Sequence, residues 1–367
     1  MKIELNQNKI FYNNGKSIQE IHPFWLRERV DGEEFLDKGT QQRLFDPSAM
    51  NGEIIVKKAE IKNGFLEVNF NDGVNSKLEI NKLETEFSNK DTVIKSIPKK
   101  KWDSTLENIK NFEYKDDFFE TKEMHDLLVS FYEYGFVIIK NVPTENNYIV
   151  KFANSIGSVR RTNFGEHFNV KSKSDPNDLA YTSLHITPHT DNPYRNPVPC
   201  IQILHCIENE VSGGYSTLVD GYTVSEKLKK EDPDAYKILT EVKVRFKFTD
   251  KTVMLEDWSE LIHLDDDKNF KQVRFSPRLD YVPMLEKNKL DQYYKARKKL
   301  SDLYNSEQNE VKFKLKPNDL MMMDNHRVLH GRTKFDPEEG KRFLQGCYID
   351  FDSTEGKLRH LKRKFKL

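Results

Sequence analysis

The segment DLMMMDNHRVLHGR, residues 319–332, combines an apolar run with a cluster of polar and basic side chains. Its apolar part, residues 320–324, has the length and composition of a buried β-strand. Other short apolar segments follow one another along the C-terminal half of the chain. The sequence predicts strands at residues 201–205, 216–220, 242–248, 273–275, 311–315, 320–324 and 343–351. Many short strands, with helical insertions near 224–230 and 290–305, indicate a mainly β fold of the jelly-roll or barrel type.

The sequence before this region predicts two further parts. Residues 1–95 contain short alternating segments separated by Asn-Gly and Asp-Gly turns, which is typical of a small antiparallel β domain. Residues 96–120 have no clear periodicity and include three consecutive lysines, so we expect a linker there. Residues 121–367 then form the second domain, which begins with a helix that ends at Gly135.

The overall composition excludes several classes of protein. The 367 residues include 59 Lys and Arg against 59 Asp and Glu, a balance that argues against a nucleic-acid-binding or membrane-surface protein. No apolar run approaches the roughly 20 residues of a membrane span, and no secretion signal is visible at the start. Three dispersed cysteines favour a reducing compartment. We therefore expect a cytoplasmic protein with a small-molecule partner.

Two histidines and one aspartate form a candidate metal site. In an extended segment residues i and i+2 face the same side, so His189 and Asp191 of the HTD segment aim at a common point. His330 would complete the two-histidine, one-carboxylate set that suits non-haem Fe(II), although the residues alone leave His326 open as the third ligand. Arg342 lies twelve residues after His330, and its guanidinium can clamp a carboxylate. Together these residues indicate a site for iron and a chelating dicarboxylate.

The same residues lie within segments that resemble a known family. HTD at 189–191, GGYST at 213–217, LHGR at 329–332 and Arg342 resemble the Fe(II)/2-oxoglutarate oxygenases of the taurine dioxygenase superfamily. A closer resemblance is to the branch that contains the γ-butyrobetaine and trimethyllysine hydroxylases. The segments that carry it are WLR at 25–27, TQQR at 40–43, YGF at 134–136, AYT at 180–182, LHC at 204–206, VDG at 219–221 and GCYID at 346–350. The resemblance covers nearly the whole chain, in order.

The resemblance implies a double-stranded β-helix for the second domain, with iron held by His189, Asp191 and His330. It also implies that Arg342 takes the distal carboxylate of 2-oxoglutarate, with a hydrogen bond from Ser216. O2 would then drive hydroxylation of a substrate C–H bond while 2-oxoglutarate is converted to succinate and CO2. Ascorbate is expected to stimulate such an enzyme.

The resemblance also suggests how the substrate is held. In the butyrobetaine branch aromatic side chains surround a trimethylammonium group, which cannot donate hydrogen bonds. The matching positions are Phe164, Phe168, Tyr181 and Tyr348. Phenylalanine at the first two replaces the Tyr and Trp that are usual in the branch, which weakens the attraction without abolishing it. The expected substrate is γ-butyrobetaine-like, with a carnitine-like product. Trimethyllysine, a trimethylaminoethylphosphonate and a sulfonate remain the alternatives.

Two departures from the branch concern the other end of the substrate. Asp178 stands where an asparagine would help to hold the substrate carboxylate, and Ser276 and Pro277 replace a later Asn-Asn pair. Arg278 follows them and could pair with Asp178, grip a carboxylate or phosphonate, or be a solvated loop arginine. Asp178 could instead attract an amino group such as that of trimethyllysine.

The first domain differs from the family in its cysteines. The family often carries a Cys/His zinc site there, but RERVDG occupies residues 27–32, and the first cysteine of the chain is Cys200. We therefore expect no structural zinc. By resemblance alone, this domain would lie at a homodimer interface and cover the active site. A jelly-roll that only binds a betaine, without catalysis, is the non-enzymatic alternative.

Overall fold

The structure is a computed structural model that describes residues 2–7, 9–13, 15, 17–50, 52–87, 93–171 and 182–367. The chain divides into two compact units, Met1–Lys95 and Ser96–Leu367. Each unit buries its own set of apolar side chains. The two units are described separately below.

The first unit contains two three-stranded antiparallel sheets. One consists of β1 (Lys2–Asn6), β2 (Lys9–Asn13) and β3 (Ile18–Glu20), and the other of β4 (Val56–Lys62), β5 (Phe65–Phe70) and β6 (Asn75–Glu79). Two short helices, α1 (Pro23–Arg27) and α2 (Ile80–Glu86), and a 3-10 turn at Pro47–Ala49 accompany the sheets. Every second residue of β5 is buried, namely Leu66, Val68 and Phe70, because one face of the strand packs on the core.

The second unit alternates strands with longer helices. Its strands are β7 (Asn111–Glu113), β8 (Phe136–Lys140), β9 (His167–Val170), β10 (Ile186–His189), β11 (Ile201–Asn209), β12 (Ser216–Asp220), β13 (Val244–Thr249), β14 (Met254–Ser259), β15 (Ile262–Leu264), β16 (Phe270–Val273), β17 (Asp280–Tyr281), β18 (Glu310–Phe313), β19 (Leu320–Asp324), β20 (Val328–Arg332) and β21 (Arg342–Ile349). Its helices are α3 (Lys122–Tyr134), α4 (Tyr148–Asn154), α5 (Gly221–Glu231), α6 (Pro233–Glu241), α7 (Lys287–Tyr304) and α8 (Phe351–Phe365), with 3-10 turns at Phe118–Glu120 and Pro337–Glu339. Within the described residues, no helix is both long and apolar enough to cross a membrane.

The segment 96–120, predicted as a linker, is instead part of this folded unit. Trp102 is only 5% exposed, and its indole Nε1 donates a hydrogen bond to the Tyr134 carbonyl at 2.6 Å. Strand β7 pairs in parallel with β8. Helix α3 begins after the cap Thr121 and ends at Gly135, whose φ of 79° is left-handed, as the sequence pattern predicts. Lack of periodicity therefore does not mean lack of packing here.

Two sheets form the centre of the second unit. The larger has six strands in the order β7-β8-β19-β11-β21-β9, and the smaller has four in the order β10-β20-β12-β18. All neighbouring pairs are antiparallel except β7 with β8. Most neighbouring strands are distant along the chain, so long connections join them, as is common in two-sheet β folds such as jelly rolls. The sequence pattern did not predict β20, which lies between β10 and β12.

The chain between β12 and β18 forms an insertion beside these sheets, with helices α5 to α7 and strands β13 to β17. Its core includes the fully buried side chains of Phe275, Tyr293 and Tyr304. The helices predicted near 224–230 and 290–305 are present as α5 and α7, and α6 was not predicted. A proline at the start of α6 and the cap Asp232 explain its separate existence.

Candidate active site

A cavity of about 330 Å³ lies in the second unit and is lined by side chains from both sheets. The four-stranded sheet contributes residues of β10, β12 and β20, and the six-stranded sheet contributes residues of β9, β11 and β21. The insertion adds Phe248 from β13 and a loop that carries Ser276 and Arg278. Nine of the predicted site residues lie among the described residues and all nine line this cavity, whereas Asp178 and Tyr181 lie outside the described residues. His326, the alternative third ligand, does not line it.

The structure brings His189, Asp191 and His330 together in this cavity. Strands β10 and β20 are neighbours, and their register places His189 directly opposite His330, with ring centroids 4.4 Å apart. Asp191 Oδ1 lies 3.5 Å from His189 Nε2 and 3.7 Å from His330 Nε2. One ligand atom from each residue lies within 4.8 Å of the others. Such a set of two imidazoles and one carboxylate can hold a divalent transition metal.

His326, the alternative third ligand, points elsewhere. Its Nε2 lies 3.2 Å from the Val198 carbonyl, and its ring packs edge-on against Phe351 at 5.1 Å. Burial lowers the pKa of His326 to about 4, so its ring is neutral at pH 7 and engaged in packing. The structure therefore favours His330 over His326 on position alone.

The protonation states of His330 and Asp191 suit metal binding. Burial lowers the pKa of His330 to about 4, which keeps its imidazole neutral at pH 7. Burial alone would raise the pKa of the Asp191 carboxyl, but His330, His189 and a hydrogen bond from Tyr348 together hold that pKa below its ordinary value. His189 Nδ1 lies 3.0 Å from the Thr187 carbonyl. Because a carbonyl only accepts, Nδ1 carries the hydrogen and Nε2 presents its lone pair.

Asn325 fixes the backbone of Asp191. Its Oδ1 accepts a hydrogen bond from the Asp191 backbone N–H at 2.7 Å, and its Nδ2 donates to the Asp191 carbonyl at 3.0 Å and to the Pro199 carbonyl at 2.9 Å. Asn325 is fully buried, between β19 and β20. The loop that joins these two strands thus holds the backbone of the aspartate that follows β10.

Arg342, at the start of β21, presents a buried guanidinium to the cavity. Its Nη2 donates to the Gly214 carbonyl at 3.4 Å, and within the described residues its Nε has no hydrogen-bond partner. Burial lowers the pKa of Arg342 to about 10, so the group stays charged at pH 7. Ser216, also buried, lines the cavity on β12. A carboxylate entering here would meet a fixed cation and a hydroxyl.

A second arginine, Arg332, lines the same cavity and was not among the predicted site residues. Its Nη2 donates to the carbonyls of Thr182 and Leu184 at 2.7 and 2.8 Å. Arg332 and Arg342 both lie over the Phe335 ring, 4.9 and 5.4 Å from its centroid. Burial and the charge of Arg342 lower the pKa of Arg332 to about 10. The LHGR segment contained this residue, but only its histidine was assigned a role.

Aromatic side chains form much of the remaining wall. The rings of Phe168 and Tyr348 lie 5.4 Å apart, and Phe164 packs edge-on against Phe248 at 5.7 Å. Tyr194 stacks on Phe248 at 4.9 Å. All five line the cavity. Sequence reasoning missed Tyr194, three residues after Asp191, and Phe248, which the insertion supplies.

Polar groups line the same cavity. Ser276 Oγ and Asn192 Nδ2 are buried, and in the part of the chain that the structure describes neither has a hydrogen-bond partner. Arg278 is exposed at the cavity edge, and no described residue forms an ion pair or hydrogen bond with its side chain. Its charge helps to lower the pKa of His330, after burial and the charge of His189, so it lies near that histidine. A pairing of Arg278 with Asp178 falls outside the described residues.

One protein family matches most of the second unit. The chain belongs to the family described as taurine catabolism dioxygenase TauD, TfdA, which matches residues 101–348. A crystal structure from Burkholderia xenovorans, provisionally assigned as an alpha-ketoglutarate-dependent taurine dioxygenase, has a TM-score of 0.50 and 14% identity, covering 68% of this chain and 92% of that one. That likeness concerns the fold.

The chain is also similar in sequence to dioxygenases that are named for trimethylammonium substrates. The gamma-butyrobetaine dioxygenase of Pseudomonas sp. (strain AK-1) is 28% identical over 351 residues, which cover 94% of this chain and 91% of the relative. The human gamma-butyrobetaine dioxygenase is 32% identical over 270 residues, covering 72% and 69%. The mitochondrial trimethyllysine dioxygenase of Rattus norvegicus is 27% identical over 349 residues, covering 90% and 80%.

Proposed function

We propose that this protein is an Fe(II)- and 2-oxoglutarate-dependent dioxygenase that hydroxylates a C–H bond of a small trimethylammonium compound. The preferred substrate is γ-butyrobetaine-like and its product is carnitine-like. Similarity to relatives named gamma-butyrobetaine and trimethyllysine dioxygenases supports this assignment. We also propose that the six-stranded and four-stranded sheets are the two sides of a double-stranded β-helix.

The donor set supports iron as the metal. His189, Asp191 and His330 offer two imidazoles and one ionised carboxylate, which is the set typical of non-haem Fe(II) oxygenases. Arg342 and Ser216 would hold 2-oxoglutarate through its distal carboxylate. When bound, iron, 2-oxoglutarate and O2 supply the oxidation that hydroxylates the substrate and yields succinate and CO2.

The residues of this chain contribute placement and protection from water. Asn325 holds the Asp191 backbone and the Thr187 carbonyl holds the His189 ring, which limits the rearrangement that metal binding would need. The charge of Arg342 is fixed before the co-substrate arrives, because its guanidinium is buried against Phe335. The cavity is lined by both sheets, and a substrate that fills it would displace water from the reacting C–H bond.

The aromatic side chains of the cavity would select a substrate with a quaternary ammonium group. Phe164, Phe168 and Tyr348 line the same cavity as the three metal-binding residues, together with Tyr194 and Phe248. An aromatic face attracts a quaternary ammonium by about 0.5 to 2 kcal/mol per ring. Arg278, with Ser276 beside it, would bind the anionic group at the other end of the substrate. A zwitterion with a trimethylammonium head would therefore find both aromatic faces and a cation among the residues that line the cavity.

A substrate screen with a neutral isostere tests this proposal. Purified protein with Fe(II), 2-oxoglutarate and O2 is given γ-butyrobetaine, trimethyllysine, trimethylaminoethylphosphonate and taurine, and also the γ-butyrobetaine analogue whose trimethylammonium is replaced by tert-butyl. Succinate and hydroxylated product are both measured. We expect γ-butyrobetaine to be the best substrate and the neutral analogue to have a KM at least tenfold higher, because it forfeits the cation–π attraction.

The outcomes separate the alternatives. Equal KM values for the charged and neutral compounds would show that the aromatic side chains do not recognise the cation. Preference for taurine would show that the enzyme is a sulfonate hydroxylase. Absence of succinate with every compound, alongside betaine binding, would instead indicate a binding protein. His189→Ala serves as the control because it removes a proposed iron ligand and should abolish turnover.

A further inference from the structure

Gln202 and Tyr348 both act on one oxygen of Asp191. They face each other across the antiparallel strands β11 and β21 as direct partners in the register. The Tyr348 hydroxyl donates to Asp191 Oδ2 at 2.7 Å, and Gln202 Nε2 donates to the same oxygen. Both side chains are almost fully buried and line the cavity. Sequence reasoning assigned Tyr348 to the substrate cage and gave Gln202 no role.

The chemistry of these groups fixes the direction of both hydrogen bonds. An ionised carboxylate only accepts, so the amide of Gln202 must present its NH2 group and the tyrosine its O–H. Asp191 Oδ2 is then occupied by two donors, while Oδ1 is the oxygen that faces His189 and His330. The two oxygens of one carboxylate therefore have different surroundings before any metal binds.

We propose that Gln202 and Tyr348 are positioning residues that hold Asp191 as a one-oxygen ligand, an inference that rests on the proposed iron-dependent function. If Oδ2 also turned toward the metal, it would occupy a coordination position that the chelating co-substrate needs. Gln202 and Tyr348, which lie on the six-stranded sheet, prevent this rotation of the carboxylate. Asn325 fixes only the backbone of Asp191.

Tyr348 also connects the metal-binding carboxylate to the substrate wall. Its ring lies 5.4 Å from that of Phe168 and lines the cavity, while its hydroxyl reaches Asp191. A substrate cation against this ring is therefore one side chain away from the metal ligand. Removal of the hydroxyl separates the two roles, because phenylalanine keeps the ring in place.

The test is anaerobic equilibrium dialysis of Fe(II) against the full chain without substrate, comparing the wild type with Tyr348→Phe and Gln202→Met. We expect each variant to bind Fe(II) about 10- to 100-fold more weakly, as is usual when a hydrogen bond to a metal ligand is lost. In the double variant, the loss of Fe(II)-binding free energy should be smaller than the sum of the losses in the two single variants, because both donors serve one oxygen. Tyr293→Phe is the matched control, since Tyr293 is a fully buried tyrosine of the insertion core; its Fe(II) affinity should stay unchanged.

Turnover provides a second readout. With γ-butyrobetaine and saturating Fe(II), Tyr348→Phe should form more succinate per hydroxylated product than the wild type, while the substrate KM changes less than about threefold. Unchanged Fe(II) affinity in two folded variants would overturn the positioning role. If the wild type itself failed to bind Fe(II), that result would contradict the proposed iron-dependent function and not only the positioning role. Should Tyr348→Phe not fold, the Fe(II) affinity of Gln202→Met alone tests the positioning role.

Discussion

Replacement of Arg342 should weaken 2-oxoglutarate binding far more than it weakens the fold. The guanidinium is buried, and among the described residues its hydrogen bond is a long one of 3.4 Å to the Gly214 carbonyl, so a ligand carboxylate could accept from its other N–H groups. Truncating one member of a buried, hydrogen-bonded charge pair costs about 2 to 5 kcal/mol. At about 1.4 kcal/mol per factor of ten, Arg342→Ala should raise the 2-oxoglutarate KM by roughly 30-fold to a few thousand-fold. Arg342→Lys should fall between, because lysine keeps the charge but lacks the planar fork.

The assay follows 2-oxoglutarate in two ways. An anaerobic titration of the Fe(II)-loaded protein records the weak visible charge-transfer band of the 2-oxoglutarate chelate, and steady-state succinate formation gives the KM. Arg245→Ala is the control, because Arg245 lies on β13, packs over Tyr281 and is absent from the cavity lining. The control should leave the band, the KM and the unfolding temperature unchanged.

Two results would refute the reasoning. If Arg342→Ala kept the wild-type KM while remaining folded, the buried guanidinium would not be the co-substrate clamp. If Arg332→Lys raised the KM and Arg342→Lys did not, the clamp would be the neighbouring arginine over the same Phe335 ring.

Two further predictions concern the same site. Gly214→Ala should raise the 2-oxoglutarate KM about tenfold or more and lower the unfolding temperature, because Gly214 has a φ of 67° and an added Cβ would lie 2.8 Å from Arg342 Nε. Gly356→Ala in α8 is its control, since an added Cβ there meets no atom within 4 Å and should stabilise the helix by up to about 1 kcal/mol. Fe(II) at 100 times its Kd should stabilise the chelator-treated protein by about 2.7 kcal/mol in thermal unfolding, and His189→Ala should remove that shift. Identical unfolding with and without metal would argue against a metal site.

The metal site illustrates what sequence patterns can and cannot establish. The HTD segment predicts that His189 and Asp191 share a face, because that follows from local backbone geometry alone. The choice between His330 and His326 depends on which strand lies beside β10, and that pairing joins segments about 140 residues apart. No local period contains this information. The pattern also missed β20, the short strand that places His330 opposite His189.

The aromatic wall shows a similar limit. Phe164, Phe168 and Tyr348 could be named from the family resemblance, and all three line the cavity. Phe248 could not, because it comes from an insertion whose packing brings it against Phe164 and Tyr194. The hydrogen bond from Tyr348 to Asp191 was equally hidden, since it requires the register of β11 with β21 as well as the position of β10.

Register along β21 links these separate features. Arg342, Leu344, Gly346 and Tyr348 are two residues apart, so they face the same side of the six-stranded sheet, and three of them line the cavity. At Gly346 the strand makes room for the Phe168 ring, since an added Cβ would lie 2.4 Å from that ring. A slip of one residue would turn Arg342, Tyr348 and the hydrogen bond to Asp191 away from the cavity together. The even spacing from Arg342 to Tyr348 therefore matters to the proposed site as much as the identity of either residue.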